Sequence, residues 1–254
     1  MATEIFNDGV HRCIRFDDLT GEGEVQSNQF LIIHEGKGAL LDPGGSKIYS
    51  ALVAEMTSFL PLSKLEYIIL SHQDPDVGAG LNGYLLITDA VICFPEIWTR
   101  FIPAFCTKSF TEGRVISVPD KGMRLDLNGS PLMLIPAHFL HSSGNNQVYD
   151  PVSKTLFSGD LGTSLLPPDA QYQEVSDFEA HTQYMDPFHR RYMPSEKICQ
   201  RWAAMVQSLD IERIAPQHGA MFTGQAMVSQ FIEWVANLRC GVDLLLEQGV
   251  YPAL

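Results

Sequence analysis

The segment Ser71-His72-Gln73-Asp74-Pro75-Asp76-Val77 sets one imidazole and two carboxylates at alternate positions. It directly follows the apolar run Leu65-Glu66-Tyr67-Ile68-Ile69-Leu70. Alternate residues of an extended chain share a face, so a strand ending this way aims His72, Asp74 and Asp76 at one point. Three further apolar runs end in donors of the same kind. They are Pro136–Asn145, which holds His138 and His141, then Ser158-Gly159-Asp160, then Pro216-Gln217-His218-Gly219. Four loops at one edge of a sheet sandwich can converge on a cluster of His72, Asp74, Asp76, His141, Asp160 and His218, with His138 the rival of His141. That is too many donors for one closed tetrahedral site and suits two metals sharing a carboxylate. The set contains no cysteine, which argues against a thiolate zinc site. Imidazole mixed with carboxylate suits iron, manganese or zinc, and the carboxylate richness tilts it toward iron or manganese.

Positioning these loops requires alternating strands and helices. Gln29–Ile33 and Gly38–Asp42 read as strands joined by the turn His34-Glu35-Gly36-Lys37. Lys47–Leu60 has helical spacing, with Ile48, Leu52, Met56 and Phe59 on one face and Pro61 as the stop. Leu65–Leu70 is the strand that delivers His72. Gly78–Ile87 reads as a helix with Leu81, Leu85 and Leu86 inward. Val91–Phe94, Val115–Val118, Leu132–Ile135, Thr155–Asp160 and Ile211–Pro216 read as further strands. Pro167–Met193 is polar and aromatic. Ser195–Leu209 reads as a helix with Ser195 as its cap, and a single helix is expected from about Gly224 to Leu246. The layout is two β-rich halves, each flanked by helices, in a single domain over residues 1–254.

Composition narrows the classes. Hydrophobic residues make up 45% and charged residues 19% of the 254, which suits a globular protein with a sizeable core. A formal net charge of −13 argues against a nucleic acid or an anionic membrane as partner. No apolar run reaches the roughly 20 residues of a membrane span, and Met1-Ala2-Thr3-Glu4 does not open a secretory leader. Cys13, Cys93, Cys106, Cys199 and Cys240 are odd in number and scattered, which suits packed thiols in a reducing cytoplasm.

Five motifs in order, Asp42-Pro43-Gly44, His72-x-Asp74-x-Asp76, His141-x-x-Gly144, Phe157-Ser158-Gly159-Asp160 and Gln217-His218-Gly219, resemble the metallo-β-lactamase fold, an αββα sandwich. Hydrolases of that fold usually carry His-x-His-x-Asp-His. Here Asp74 stands in place of the second His and Val77 in place of the last. A carboxylate at the former position resembles the flavodiiron proteins and the related oxygen-binding di-iron proteins, the ODP family. The resemblance implies two irons, with His72, Asp74 and His141 on one, Asp76 and His218 on the other, and Asp160 bridging. It favours His141 over His138 as ligand and leaves His138 beside the site. It also places the segment of Tyr184 over the centre, where a phenol could reach a bound peroxide. His181 and His189 are expected to be structural or solvent-facing rather than ligands. Val77 cannot bind metal, so the second iron keeps an open position.

No FMN is expected in this chain, because no phosphate-cradling loop follows the last helix. The implied role is therefore to bind dioxygen, as a bridged ferric-peroxo adduct, for sensing or carrying. Nitric oxide is the alternative ligand. A signalling or electron-transfer partner and a homodimer are compatible with that role. The alternative functions are a metal-dependent hydrolase of esters or phosphoesters, and an oxygen or nitric oxide reductase with a separate electron donor.

Overall fold

A computed structural model of the chain describes residues 2–17, 19–21, 24–167 and 172–247. Among the described residues, thirteen strands form two sheets. The first holds β1 (Ala2–Asn7), β2 (His11–Phe16), β3 (Gln29–His34), β4 (Lys37–Leu41), β5 (Leu65–Ile69), β6 (Val91–Pro95) and β7 (Val115–Val118) in sequential order. The second holds β8 (Met123–Leu127), β9 (Ser130–Pro136), β10 (Asn146–Asp150), β11 (Thr155–Gly159), β12 (Arg213–Pro216) and β13 (Phe222–Thr223), again in order. The helices are α1 (Tyr49–Met56), α2 (Pro75–Gly78), α3 (Leu81–Ile87), α4 (Glu96–Thr99), α5 (Ile102–Phe105), α6 (Lys108–Thr111), α7 (Phe178–Tyr192), α8 (Glu196–Val206), α9 (Gln225–Ala236) and α10 (Val242–Glu247).

Strand alternation builds the layers. In β3, Phe30 and Ile32 enter the core between the sheets, where they join Ile69, Val148, Phe157 and Ala215. Leu31 and Ile33 point the other way, to Leu52 and Met56 of α1 and Leu81 and Leu85 of α3. A strand buried on both faces reads as continuous apolar sequence, as Phe30-Leu31-Ile32-Ile33 does. On the far side, Cys199, Trp202, Ala203 and Val206 give α8 one apolar stripe at helical spacing, and with α9 it covers the second sheet. The three cores are the three interfaces of an αββα sandwich.

This topology fixes where the site sits. The strands β4, β5, β6 and β7 are parallel, as are β11 and β12, so β5, β11 and β12 deliver their following loops at the ends they share. The loop from β9 to β10 arrives at the same edge, where Asn146 N donates to the Ser71 carbonyl across the two sheets (2.9 Å).

Four expectations change. The strand before His72 ends at Ile69, and Asp76 lies in the first turn of α2. Pro75 at that helix start fixes the turn, so a loop entering a helix, rather than strand alternation, gathers the donors. Leu86 is exposed and Tyr84 takes the inward place. The polar aromatic stretch contains the fifteen-residue helix α7. The single helix over Gly224–Leu246 is two, because Gly241 turns with φ +50 and donates its N–H to the Arg190 carbonyl. A Cβ at Gly241 would sit 2.2 Å from the Met193 carbonyl oxygen, so the chain can pass there only as glycine.

Candidate metal centre

The six donors converge. His141 Nε2 lies 2.8 Å from Asp160 Oδ2 and 3.4 Å from Asp74 Oδ2. His72 Nε2 lies 3.6 Å from Asp74 Oδ2 and 3.8 Å from Asp160 Oδ2. His218 Nε2 lies 3.3 Å from Asp76 Oδ2 and 3.6 Å from Asp160 Oδ1. Asp160 thus turns Oδ2 to His72 and His141 and Oδ1 to His218. His72 Nε2 and Asp160 Oδ1 are buried without a hydrogen-bond partner. Buried polar atoms are normally satisfied, and these spacings are those of donors around a cation, so the residues fit a pair of metal ions. Asp74 and Asp76 are the most exposed members, so the centre opens to solvent on the α2 side. Val77 is fully buried in the apolar core under α3.

A second layer aims the donors. His218 Nδ1 donates to the Gln26 carbonyl (2.8 Å), which aims Nε2 at Asp76 and Asp160. His72 Nδ1 bonds Ser71 Oγ at 2.8 Å, and the Ser71 N–H donates to Asp42 Oδ1 at 2.7 Å. Burial pushes the Asp42 carboxyl up to about 6. The buried Arg15 guanidinium donates to the Gly219 carbonyl (3.2 Å) and to Asn28 Oδ1 (3.0 Å). Asn28 Nδ2 in turn donates to the carbonyls of Pro216 and Gly219. This cradle leaves Gly219 at φ +84, with Ser164 Oγ only 1.9 Å from where a Cβ would stand. Gly219→Ala is therefore expected to destabilise the protein by about 1–2 kcal/mol through the left-handed backbone alone, with the clash against Ser164 adding to it. It should also lower metal uptake by shifting His218. Thermal unfolding and metal content of the variant check both effects.

The helix α7 closes one flank. Phe188 and Tyr192 stack on each other, and both rings meet His141 edge-on. His189 is fully buried. Its Nδ1 donates to the Met185 carbonyl (2.8 Å), and its Nε2 accepts the Gly162 N–H (2.9 Å), two residues past Asp160. Burial holds His189 down at about 4, so the imidazole is neutral and can accept.

Of the residues singled out in the sequence, the six candidate ligands come together. His138 instead turns Nε2 to the Asp120 carbonyl (2.7 Å). The ring of Tyr184 packs on His181, and it is Phe188 and Tyr192 that meet His141. His181 bonds the Tyr172 hydroxyl at 2.6 Å. Sequence reasoning missed Gln26, Arg15, Asn28 and His189. Only His189 left a trace, since His181, Met185 and His189 recur every fourth residue on the buried face of α7.

Without metal, protons hold the cluster. Burial alone would depress His141 and His218, but the adjacent carboxylates override it and hold them at about 10 and about 9. Burial alone would raise Asp160, but His141, His72 and His218 bring it down to about 2. Both imidazoles sit above the ordinary 6.5, so their contribution is complete below that pH and is lost as pH rises through 9 and 10. Asp160 sits below the ordinary 3.8, so its contribution is present above that pH and lost as pH falls through 2. The Tm of chelator-stripped protein is expected to be highest near pH 6.5, to fall toward pH 10 as His141 and His218 lose their protons, and to fall toward pH 4, where unfolding lets the buried neutral His189 take up a proton. Metal needs deprotonated imidazole, so loading should remove the alkaline decline.

An αββα sandwich whose edge gathers a histidine and aspartate cluster around a shared carboxylate defines the metallo-β-lactamase class. Within that class the chain belongs to the ODP family beta lactamases, whose profile matches residues 25–219. It is similar to a structure described as the peroxy diiron species of the chemotaxis sensor ODP. The identity is 38%, covering 97% of this chain and 99% of the other, with a TM-score of 0.87. The apo state of the chemotaxis sensor ODP from T. denticola is 37% identical, covering 98% and 99% of the two chains, with a TM-score of 0.85. A flavo di-iron protein from Thermotoga maritima shares the fold at 18% identity and a TM-score of 0.77, over 93% of this chain and 60% of that one. Among curated relatives, an uncharacterized protein of Methanocaldococcus jannaschii is 24% identical over 92% of this chain. The anaerobic nitric oxide reductase flavorubredoxin of Citrobacter koseri is 23% identical over 84%. The chain spans 60% and 45% of the length of these two relatives. Among the described residues, no helix is long and apolar enough to cross a membrane.

Proposed function

We propose that this chain is a di-iron protein that binds dioxygen and reports its presence. The observation that carries the reading is the Asp160 carboxylate, one oxygen of which faces His72 and His141 and the other His218. His72, Asp74 and His141 would hold one iron, Asp76 and His218 would hold the other, and Asp160 would serve both. Reduced iron supplies the electrons with which such a centre takes up dioxygen. The protein supplies position and polarity. Ser71 and the Gln26 carbonyl fix the two imidazoles, and His189 fixes the Asp160 loop. Phe188 and Tyr192 shield His141 with an apolar wall. Val77 is buried in the apolar core and would add no donor beside Asp76.

The likeness to a chemotaxis sensor over nearly the whole chain supports sensing over turnover. The signal would pass to a cytoplasmic partner protein, and the net charge of −13 disfavours a nucleic acid in that role. The test is the visible spectrum and metal content of anaerobically purified protein before and after air. Bound iron and a new visible band that persists for minutes are expected. A band that bleaches at once with formation of hydrogen peroxide or water makes the protein a reductase. Zinc with no spectral change overturns the dioxygen reading.

A further inference from the structure

Among the described residues, one other group of metal-ligating side chains has its ligand atoms within 4.8 Å of one another, and it is fully buried: His11, Cys13 and Asp150. His11 and Cys13 belong to β2 of the first sheet, and Asp150 ends β10 of the second. β10 begins at the edge that carries the di-metal centre, so Asp150 lies roughly 13 Å further along the sandwich. His11 Nε2 is 2.9 Å from Asp150 Oδ2. Cys13 Sγ is 3.5 Å from Asp150 Oδ2 and 3.8 Å from His11 Nε2. These are close to the edges of a tetrahedron around an ion with metal–nitrogen and metal–oxygen distances of about 2.0–2.2 Å and metal–sulfur of about 2.3 Å.

The surroundings are those of a built site. Asp150 also accepts from the N–H groups of Val152 and Ser153 and from Ser153 Oγ, which fixes its orientation. His11 Nδ1 faces His34 Nδ1 at 3.2 Å, so one ring nitrogen is oriented by a neighbour while the other faces the cluster. Ser153 also lines a cavity of about 350 Å³, together with Phe6, Lys154 and Arg213.

We propose that His11, Cys13 and Asp150 form a second, mononuclear site for a thiophilic divalent cation of the zinc type, with Ser153 or a cavity water completing four-coordination. Charge favours this. One thiolate, one carboxylate and a neutral imidazole cancel a dication, and a neutral assembly is what a fully buried position tolerates. Sulfur, nitrogen and oxygen donors together select zinc or cobalt over the hard cations. Without the ion, the Cys13 thiol and His11 Nε2–H each donate to Asp150. Binding forms bonds from the metal to Sγ, Nε2 and Oδ2 and releases one proton, from Cys13. The His11 proton moves to Nδ1 and is donated to His34 Nδ1, whose own proton moves to its Nε2. The site does not depend on the di-iron reading.

Cobalt(II) added to the chelator-stripped chain tests it, because the di-metal centre contains no thiolate, so a thiolate-to-cobalt charge-transfer band in the near ultraviolet reports a cysteine ligand outside that centre. The band is expected in the wild type and in Asp160→Ala, and should vanish in Cys13→Ser with the loss of one bound cobalt per chain. Retention of the iron and dioxygen absorbance by Cys13→Ser shows that the variant is folded. Should it fail to fold, X-ray absorption of zinc-loaded Asp160→Ala decides instead, with one sulfur at about 2.3 Å expected. No thiolate band in the wild type overturns the site. So does a band that survives Cys13→Ser, which would assign it to the neighbouring Cys199 and Cys240, or a zinc shell of nitrogen and oxygen only.

Discussion

Asp160→Ala is expected to leave a folded protein that holds neither iron and shows no absorbance change in air. Each Asp160 oxygen serves a different half of the centre, at 2.8 Å from His141 and 3.6 Å from His218. Losing it removes a ligand from both ions at once and also the charge that offsets them. Loss of an outer partner costs roughly 10–100-fold in metal affinity, and loss of the shared ligand should exceed that. The fold should survive, because the side chain lies in a polar edge layer and its neighbours respond by releasing protons. His141 and His218 are held high by Asp160 together with Asp74 and Asp76, so in the variant both imidazoles lose part of that support and give up their protons more readily. Iron content, far-ultraviolet circular dichroism and the spectrum in air separate the outcomes. A folded variant that still binds both irons would remove Asp160 from the centre. Asp76→Ala serves as a contrast, since it should weaken the His218 half and spare the half built on His72, Asp74 and His141.

The donors were legible because chemistry, not packing, chose them. His72, Asp74, Asp76, His141, Asp160 and His218 each follow an apolar run, and runs that end in donors at parallel strand ends must open on one edge. Strand alternation in Phe30-Leu31-Ile32-Ile33 and the stripe of α8 likewise show in the residues themselves. What stayed hidden depends on contacts between distant segments. Arg15, Asn28 and Gln26 act through backbone carbonyls and N–H groups of the loop at 216–219, and no local pattern marks them. His11 and Asp150 stand 139 positions apart and meet only because β2 and β10 face each other across the sandwich. The break at Gly241 is decided by the carbonyls of Met193 and Pro194, which crowd it from another part of the chain. α7 was obscured by its composition, since the polar and aromatic residues between Pro167 and Met193 dilute an apolar period carried by His181, Met185 and His189.

His189 is where that hidden layer acts on the centre without touching a metal ligand. Its Nε2 accepts the Gly162 N–H, and Thr163 N donates back to the Asp160 carbonyl, so the turn bearing Asp160 is held from its far side. His189→Ala leaves a buried N–H without a partner, at about 1–3 kcal/mol. It also leaves a hole beneath Phe188 and Trp234, whose rings pack on His189, and truncating a buried ring costs about 3 kcal/mol or more. A fall in Tm of many degrees is expected, with iron affinity reduced roughly 10–100-fold. His189→Gln separates the two effects, because its amide oxygen can accept from Gly162 while its flat, shorter side chain fills less space. If the hydrogen bond governs the Asp160 turn, His189→Gln should recover iron affinity more fully than Tm, whereas a purely packing role would leave both as low as in the alanine variant. The imidazole accepts only while neutral, and burial keeps it so down to about pH 4. Between about pH 5 and 8 the advantage of His189 over alanine in iron binding should therefore show no step of its own. A step in that range would mean that His189 titrates there and that the turn is held by something other than its lone pair.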